Sequence, residues 1–201
     1  MLFGFLTQGA ALGLSATATP GPLQAFLISR SIQDGWKRTL PATLAPLLSD
    51  GPIVVLVLLA LTQLPAEFIR ILRIVGGGYV IFLAWRTYLS FRGYPTRPPA
   101  PETNRKTLLQ AMGINLLNPN PYIFWSLVAG PIVLQGWAIH PTLAVGFVAG
   151  FYGIFILSSA LLVVLFAITR NLGPRVVRAL LGTSAMALLA FGLYQIAQGV
   201  V

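Results

Sequence analysis

Two proline pairs inside apolar segments are the residues of this sequence best placed to create a binding site. The first is Thr-Pro-Gly-Pro at residues 19–22, and the second is Asn-Pro-Asn-Pro at residues 118–121. Proline has no N–H to donate and its ring clashes with the carbonyl four residues earlier, so each pair should interrupt a helix. The carbonyls freed in this way are those of Ala16, Ala18, Asn115 and Leu117. In hydrocarbon, freed carbonyls are tolerated only where they face protein or a water-filled cavity.

An interrupted membrane helix offers chemistry that suits an amino acid zwitterion. The positive N-terminal end of a half-helix attracts a carboxylate, while freed carbonyls attract an ammonium group or a cation. We expect the segments after Pro22 and Pro121 to supply the N–H groups. The candidate substrate-binding residues are Thr19, Pro20, Gly21, Pro22, Gln24, Asn115, Asn118, Pro119, Asn120 and Pro121. The alternative for each polar side chain is a hydrogen bond between helices, and for the prolines a kink that serves packing.

Asp50 is the one acidic residue that we expect inside a membrane span. An aspartate at the centre of an inserted helix costs about 2.5–3.5 kcal/mol, so such a residue normally faces a cavity or a partner. Asp50 is therefore the candidate coupling-ion residue: it could carry a coupling proton, or stay ionised and pair with a substrate ammonium or a basic residue. The alternative is that it accepts backbone N–H bonds at a helix break.

The sequence offers little material for catalysis or metal binding. It contains no cysteine, one histidine and four acidic residues. Thiol chemistry and Cys-ligated metals are thereby excluded, and neither clustered histidines nor paired carboxylates are present for an enzyme. We expect no catalytic residue, no metal and no cofactor.

Composition identifies the class of protein that must position these residues. Of the 201 residues, 56% are hydrophobic and only 8% are charged, against about 25% charged in soluble domains. A span needs about 20 predominantly apolar residues. We predict an all-α polytopic membrane protein, a single membrane domain over residues 1–201, with six transmembrane helices of which the first and fourth are broken at Pro-x-Pro. The expected spans are about Leu2–Ile28, Leu40–Leu61, Ile74–Phe91, Leu108–Leu134, Leu143–Ile168 and Val177–Val200.

Basic residues concentrate on one side of this arrangement. The first, third and fifth connections hold most of them, whereas the opposite connections hold only Arg70 and Arg73. Cytoplasmic loops carry the excess of Lys and Arg, so we expect both termini outside. Because the net charge of +9 sits between apolar spans, it does not indicate nucleic-acid binding. We expect Arg86, near the inner end of the third span, to extend to the membrane interface.

Several residues recur in the same order about 100 positions apart. Pro22 is followed by Gly35-Trp36 and Pro41, and Pro121 is followed by Gly136-Trp137 and Pro141. Three spans per half is an odd number, so the second half must enter the membrane from the opposite side, which predicts two inverted three-helix repeats. The first repeat covers about 1–91 and the second about 107–201. The proline-rich linker between them, about 92–106, is expected to be an extended tether.

Specific motifs point to a known family. They are Thr-Pro-Gly-Pro in the first span, Ser-Arg-Ser-Ile-Gln-Asp-Gly after it, Ser49-Asp50, and Gly-Ile-Asn-Leu-Leu-Asn-Pro from Gly113. Over nearly its whole length the chain resembles the lysine/threonine exporter (LysE-type) family, although that family often has Asn-Pro-Lys where this chain has Asn118-Pro119-Asn120. The resemblance implies a multi-pass exporter of the inner (plasma) membrane that moves amino acids or related small metabolites and is driven by an ion gradient.

Two further questions stay open at this point. The chain could instead be a non-transporting structural or accessory subunit of a membrane complex. Its expected partners are a small-molecule substrate and membrane lipid, with no nucleic acid. A homo-oligomer or a partner in a larger membrane complex is an open alternative.

Overall fold

The computed structural model describes residues 1–19, 21–59, 66–94 and 102–200, and these are helical almost throughout. Within those ranges the α-helices are α1 (Leu2–Ala18), α2 (Pro22–Asp34), α3 (Trp36–Thr39), α4 (Ala45–Leu59), α5 (Ala66–Gly93), α6 (Asn104–Leu116), α7 (Pro119–Phe124), α8 (Gly130–Ile139), α9 (Pro141–Ile168) and α10 (Pro174–Val200). Two 3₁₀ segments, Leu40–Leu44 and Thr169–Leu172, and a π-helical segment, Trp125–Ala129, join successive helices.

The apolar segments form helices long enough to cross a membrane. By length and composition, five segments of the described chain qualify: Trp36–Val57, Ala66–Gly93, Pro119–Ile139, Pro141–Ile168 and Pro174–Val200. The apolar helix α1 is shorter and leads into α2. Large apolar side chains such as Leu127, Leu157 and Met186 are 65–72% exposed on the outer surface, as expected for a surface in contact with lipid. The chain is a multi-pass membrane protein.

Some helix boundaries differ from the sequence prediction. Residues 66–73, expected to belong to a connection, form the first two turns of α5. Glu67 in the first turn of that helix suits the positive end of the helix dipole, and the charged residues Arg70 and Arg73 bond to carbonyls at the end of α10. The second span begins earlier than predicted, at Trp36, because Gly35 adopts a positive φ of 82° that ends α2 and restarts the helix.

Glycines bring α1 into direct contact with α9. Gly9 lies against the backbone of Phe147, and Gly13 lies against the backbone of Phe151, with no room for a Cβ at either glycine. Close backbone approach at small residues is the usual way in which membrane helices pack. Because the residue numbers rise together along the contact, α1 and α9 run parallel.

A second glycine contact joins α5 to α10. Gly77 meets the carbonyl of Gly192, and Gly192 in turn meets the carbonyl of Gly77. Farther along, Gly182 faces Phe91, while Gly199 faces Arg70. The residue numbers run in opposite directions along this contact, so α5 and α10 are antiparallel.

The described part of the predicted linker is not a simple tether. Residues 95–101 lie outside the described chain, but α6 already begins at Asn104, with the Thr103 side chain accepting from the Lys106 N–H. Just before it, the backbone N–H of Glu102 donates to Asp34 Oδ1 at 3.2 Å. Residues 102–106 are therefore anchored to the end of α2 and are not extended throughout, while the division into two repeats joined by a linker remains a prediction.

Glu102 belongs to a group of charges that we call the Arg30 cluster, formed by the buried residues Arg30, Asp34 and Glu102 and the more exposed Arg86 and Lys106. Glu102 Oε2 lies 3.1 Å from Arg30 Nη2, and Glu102 Oε1 contacts Arg86 and lies 3.2 Å from Lys106 Nζ. Arg30 also pairs with Asp34 at 3.5 Å. Arg86 thus pairs with a carboxylate of the connection that precedes α6 and stays about one-third exposed, and its position relative to the membrane interface remains a prediction. Burial alone would raise the pKa of Glu102, but Arg30, Lys106 and Arg86 outweigh it and hold that pKa below its usual value.

Candidate functional site

The first helix break separates α1 from α2 at Thr19 and Gly21. Thr19 is extended, with φ −74° and ψ 118°, and α2 begins with Pro22, whose fixed φ suits a first helical position. The carbonyl of Ala16, freed by the proline four residues later, accepts a bond from the Gln24 side chain at 3.2 Å. Pro20 lies outside the described residues.

The start of α2 carries uncapped backbone donors. Within the described chain, no side chain bonds to the first turn of α2. Pro22 has no N–H, but the N–H groups of Leu23 and Gln24 point out of the helix start without a helical carbonyl to receive them. They remain available to a ligand, as the sequence predicts for the segment after Pro22.

The second break is built differently. α6 ends at Leu116, and Pro119 and Pro121 lie in the first turn of α7, so the interruption expected near this proline pair falls at Leu117 and Asn118, just before it. Proline is accepted there because the first-turn N–H groups have no helical partner anyway. The one N–H of that turn, on Asn120, donates to the Asn118 side chain at 3.1 Å. The second break thus offers no free backbone donor after Pro121, contrary to expectation.

Side chains compensate the carbonyls at the second break too. The Leu117 carbonyl, freed by Pro121, accepts from Gln195 Nε2 at 3.1 Å. The Leu116 carbonyl accepts from the Tyr122 hydroxyl at 2.9 Å. Each break therefore has one glutamine amide on a freed carbonyl: Gln24 at the first and Gln195 at the second.

Both breaks line one cavity of about 380 Å³. Of the candidate residues, those that line it are Thr19, Gly21, Pro22, Gln24, Asp50, Asn115, Asn118, Asn120 and Pro121. Pro119 is buried and does not line it. Residues nearly one hundred positions apart in the sequence are thus brought to one space.

Asp50 forms the polar centre of this cavity and is 4% exposed. Its Oδ1 accepts from Asn115 Nδ2 at 2.6 Å. Its Oδ2 accepts from the Tyr152 hydroxyl at 2.6 Å and from Trp125 Nε1 at 3.2 Å. All three donors are neutral side chains, so the carboxylate is hydrogen-bonded without a countercharge among the described residues.

Trp125 and Tyr152 are the site residues that the sequence reading missed. One signal was available, because a tyrosine hydroxyl or an indole N–H buried in an apolar span needs a hydrogen-bond partner. The position of Trp125 depends on the π-helical turn, in which the Gly130 N–H donates to the Trp125 carbonyl. Pro131 follows that turn and cannot supply an N–H to the regular helical ladder. Such turns occur often at functional sites.

Aromatic rings from α7 and α9 form part of the cavity wall. Phe124 stacks on Phe151 with centroids 5.2 Å apart, and Phe151 stacks on Phe155 at 6.0 Å. All three line the cavity. We call these three residues the phenylalanine wall.

Two cavities meet at the first helix break. The one that contains Asp50 is also lined by Leu12 and Ser15 of α1 and by Val128 after α7. A second cavity of about 370 Å³ shares Gly21 and Gln24 with it and continues along α2 to Ile28 and to Leu180 of α10. The first break therefore borders space on both of its sides.

The arrangement supports binding and does not resemble a metal centre. No group of three or more His, Asp or Glu side chains that could hold a metal is present in the described chain. The cavity combines uncapped N–H groups, amide side chains and one buried carboxylate. These groups can bind a small molecule that carries both a negative and a positive charge.

Comparison with known proteins agrees with this geometry. The family model described as LysE type translocator matches residues 14–199. The chain is 26% identical to the "Putative amino acid efflux protein YcgF" of Bacillus subtilis (strain 168), over 94% of this chain and 93% of that protein. No solved structure matches the chain significantly.

Proposed function

The chain belongs to the LysE type translocator family, and on that premise we propose that it exports amino acids or related small metabolites across the inner membrane, driven by an ion gradient. It is a membrane transporter and not an enzyme. One observation carries the proposal: two helix breaks and a buried carboxylate line the same cavity. Transporters of this general design bind their substrates at such breaks near the middle of the membrane.

The substrate is held by complementary groups on the two sides of the cavity. Its carboxylate binds at the start of α2, where Leu23 and Gln24 offer N–H groups. Its ammonium group binds near Asp50, Asn115 and Asn118. We propose that the other candidate residues named in the sequence analysis also contact the substrate.

Asp50 couples transport to the ion gradient. An uncompensated carboxylate inside the membrane has a strong preference for a cation or proton. Its donors are neutral, so one positive charge neutralises the site: either the substrate ammonium group or, in its absence, a coupling proton or sodium ion. Loading from one side of the membrane and release to the other would link the substrate cycle to the gradient.

The fold proposal is six crossings arranged as two inverted repeats, about 1–91 and 107–201, in one membrane domain. α1 and α2 together form the first crossing. The parallel contact of α1 with α9 and the antiparallel contact of α5 with α10 support it, because alternating crossings make the first and fifth spans parallel and the third and sixth antiparallel. The side with the basic connections faces the cytoplasm and both termini face outward.

Transport by purified protein in vesicles tests the function. We expect labelled amino acids to exchange across proteoliposomes, and an imposed proton or sodium gradient to drive their accumulation. Pro22→Ala returns an N–H that can bond to the Ala18 carbonyl, so it should extend α1 toward α2 and reduce exchange by about tenfold or more. Pro174→Ala is the matched control, because Pro174 also starts a helix but does not line the cavity.

Three outcomes would count against the proposal. No exchange above that of empty vesicles would favour a non-transporting subunit. Equal exchange by Pro22→Ala and wild type would remove the first break from the mechanism. Labelling of both termini from the cytoplasmic side would overturn the orientation.

A further inference from the structure

The charges of the cavity restrict which amino acids it can accept. Among the described residues that line it, Asp50 is the only one with a charged side chain. The nearest cation along α2, Arg30, is bound to Asp34 and Glu102 behind packed core residues. A substrate with an acidic side chain would therefore bring a second negative charge into a cavity that has no cation for it, at a high cost in desolvation.

A basic side chain is disfavoured for a related reason. The two Asp50 oxygens already accept from Asn115, Trp125 and Tyr152, which leaves one of about four acceptor positions for a single further cation. One such carboxylate cannot balance both the α-ammonium group and a second cation on the same substrate. A lysine or arginine side chain would remain unpaired in a largely apolar space.

Part of the cavity lining is a continuous apolar surface. The phenylalanine wall comes from α7 and α9, next to the Trp125 and Tyr152 side chains that bond to Asp50. Leu12 and Val128 extend that apolar surface. Phe124 stacks on Phe151 at 5.2 Å, and Trp125 meets Phe151 edge-on at 6.2 Å, so the rings support one another. A rigid apolar surface of this kind can discriminate between side chains by contact area.

We propose that the site selects amino acids whose side chain is uncharged and apolar, with the phenylalanine wall as the surface that determines this specificity. The inference rests on the proposed function and refines it. The backbone charges of the substrate face the helix breaks, and its side chain lies against Phe124, Phe151 and Phe155. The cavity volume of about 380 Å³ is near the lower end of small-molecule sites, which suits single amino acids.

Competition in the wild-type protein tests the selectivity without any variant. Proteoliposomes loaded with unlabelled leucine take up labelled leucine by exchange, and leucine, methionine, phenylalanine, lysine, arginine, aspartate and glutamate are added as competitors. We expect the apolar amino acids to compete at concentrations about tenfold or more below those of the charged ones. Charged amino acids that compete as well as leucine, or that are exchanged in its place, would overturn the proposal.

Substitution of Phe124 tests the role of the wall. Phe124 is only partly buried and borders the cavity, so Phe124→Ala should raise the half-saturating leucine concentration about tenfold, while Phe124→Leu should raise it less. The matched control is Phe82→Ala, since Phe82 is 53% exposed on α5 and does not line the cavity. Both variants are checked for membrane insertion and thermal stability.

The measurements separate this inference from the proposed function. If no amino acid is exchanged and none binds to the purified protein, the transport proposal fails and this one fails with it. If amino acids are exchanged but without preference for apolar side chains, the transport proposal survives and this one fails. A well-inserted Phe124→Ala variant with wild-type affinity and wild-type preference would likewise contradict the role of the wall.

Discussion

Asp50 and Glu102 are both buried carboxylates, but the groups around them differ in charge. Asp50 accepts hydrogen bonds from the neutral side chains of Asn115, Trp125 and Tyr152. Glu102 is surrounded by the cations of Arg30, Arg86 and Lys106. Neutral donors stabilise a carboxylate without cancelling its charge, so a further cation can still bind at Asp50. Three cations already hold Glu102 ionised, and its proper role is to fix α2, α5 and α6 together.

The difference teaches that burial alone does not identify a functional carboxylate. Asp50 is 4% exposed and Glu102 is 8% exposed, so the exposed fraction of the side chain does not distinguish the two carboxylates. What separates them is the charge of their partners and the presence of a cavity. A carboxylate that lines a cavity and lacks a countercharge is a candidate for binding a mobile cation.

The largest effect should follow from Asp50→Asn. The amide keeps the size of the side chain but removes its charge, so gradient-driven accumulation should be lost, while exchange of substrate between the two sides of the vesicle persists at a higher half-saturating substrate concentration. Glu102→Gln should retain gradient-driven accumulation. The difference between Asp50→Asn and Glu102→Gln is checked by measuring accumulation and exchange of substrate in the same proteoliposomes. Wild-type accumulation by Asp50→Asn with unchanged pH dependence would show that the two carboxylates do not differ in this way.

An intermediate effect is expected from Tyr152→Phe. The change removes one of the three donors to Asp50 and leaves the ring contacts with Trp125 and Phe151 in place. A hydrogen bond to a charged group contributes about 1.5–3 kcal/mol, so gradient-driven transport should fall by about tenfold or more. Tyr194→Phe serves as the control, since Tyr194 is 66% exposed. Equal rates for the two variants would contradict a role for the Tyr152 hydroxyl.

Glu102→Gln should act on stability more than on transport. The substitution leaves Arg86 without a carboxylate and leaves Arg30 with Asp34 alone, and the free energy of unfolding should fall by about 1.5–3 kcal/mol. Thermal unfolding of the detergent-solubilised protein measures it. The matched control is Glu67→Gln, an exposed carboxylate in the first turn of α5. A stability unchanged from wild type, or a selective loss of coupling, would assign Glu102 a different role.

The smallest effect concerns the pH dependence of the Arg30 cluster. Its cations hold the pKa of Glu102 below the usual 4.5. As the pH falls, Glu102 is therefore protonated at a higher pH in the unfolded chain than in the folded protein. The stabilisation is then complete above about pH 4.5 and is lost as the pH falls through the lowered pKa. Thermal unfolding temperatures of wild type and Glu102→Gln should differ by a constant amount from pH 5 to pH 8 and converge in stronger acid. A difference that changes between pH 5 and pH 8 would contradict this account.

Sequence reasoning was most successful where the signal was local. The apolar runs predicted the membrane helices, and the missing N–H of Pro22 predicted the first break. Asp50 stood out because a charge in a span is costly. At the second break the prediction placed the interruption too late, since Asn118 caps α7 and Pro119 is accommodated as its first residue.

The hydrogen-bond partners of Asp50 and the ion-pair partners of Glu102 could not be predicted from the sequence. Tyr152 and Trp125 reach Asp50 from 102 and 75 residues away, and only the rotation of each helix in the assembled bundle decides whether they face it. Glu102 was assigned to a tether because its neighbours are prolines. Its position depends on Arg30, Arg86 and Lys106 converging from three elements, which no local pattern encodes.

The glycine contact between α1 and α9 has a mechanical consequence. With their backbones touching at Gly9 and Gly13, these two helices must move as one rigid body, although they come from different halves of the sequence. α2 packs against α9 and α10 and is hydrogen-bonded to α5 through Ser29–Thr87 and Gln33–Ser90. The first helix break therefore joins a helix fixed by backbone contact to a helix held by side chains. A small tilt of α2 would change the width of the cavity while the glycine contacts of α1 with α9 stay intact.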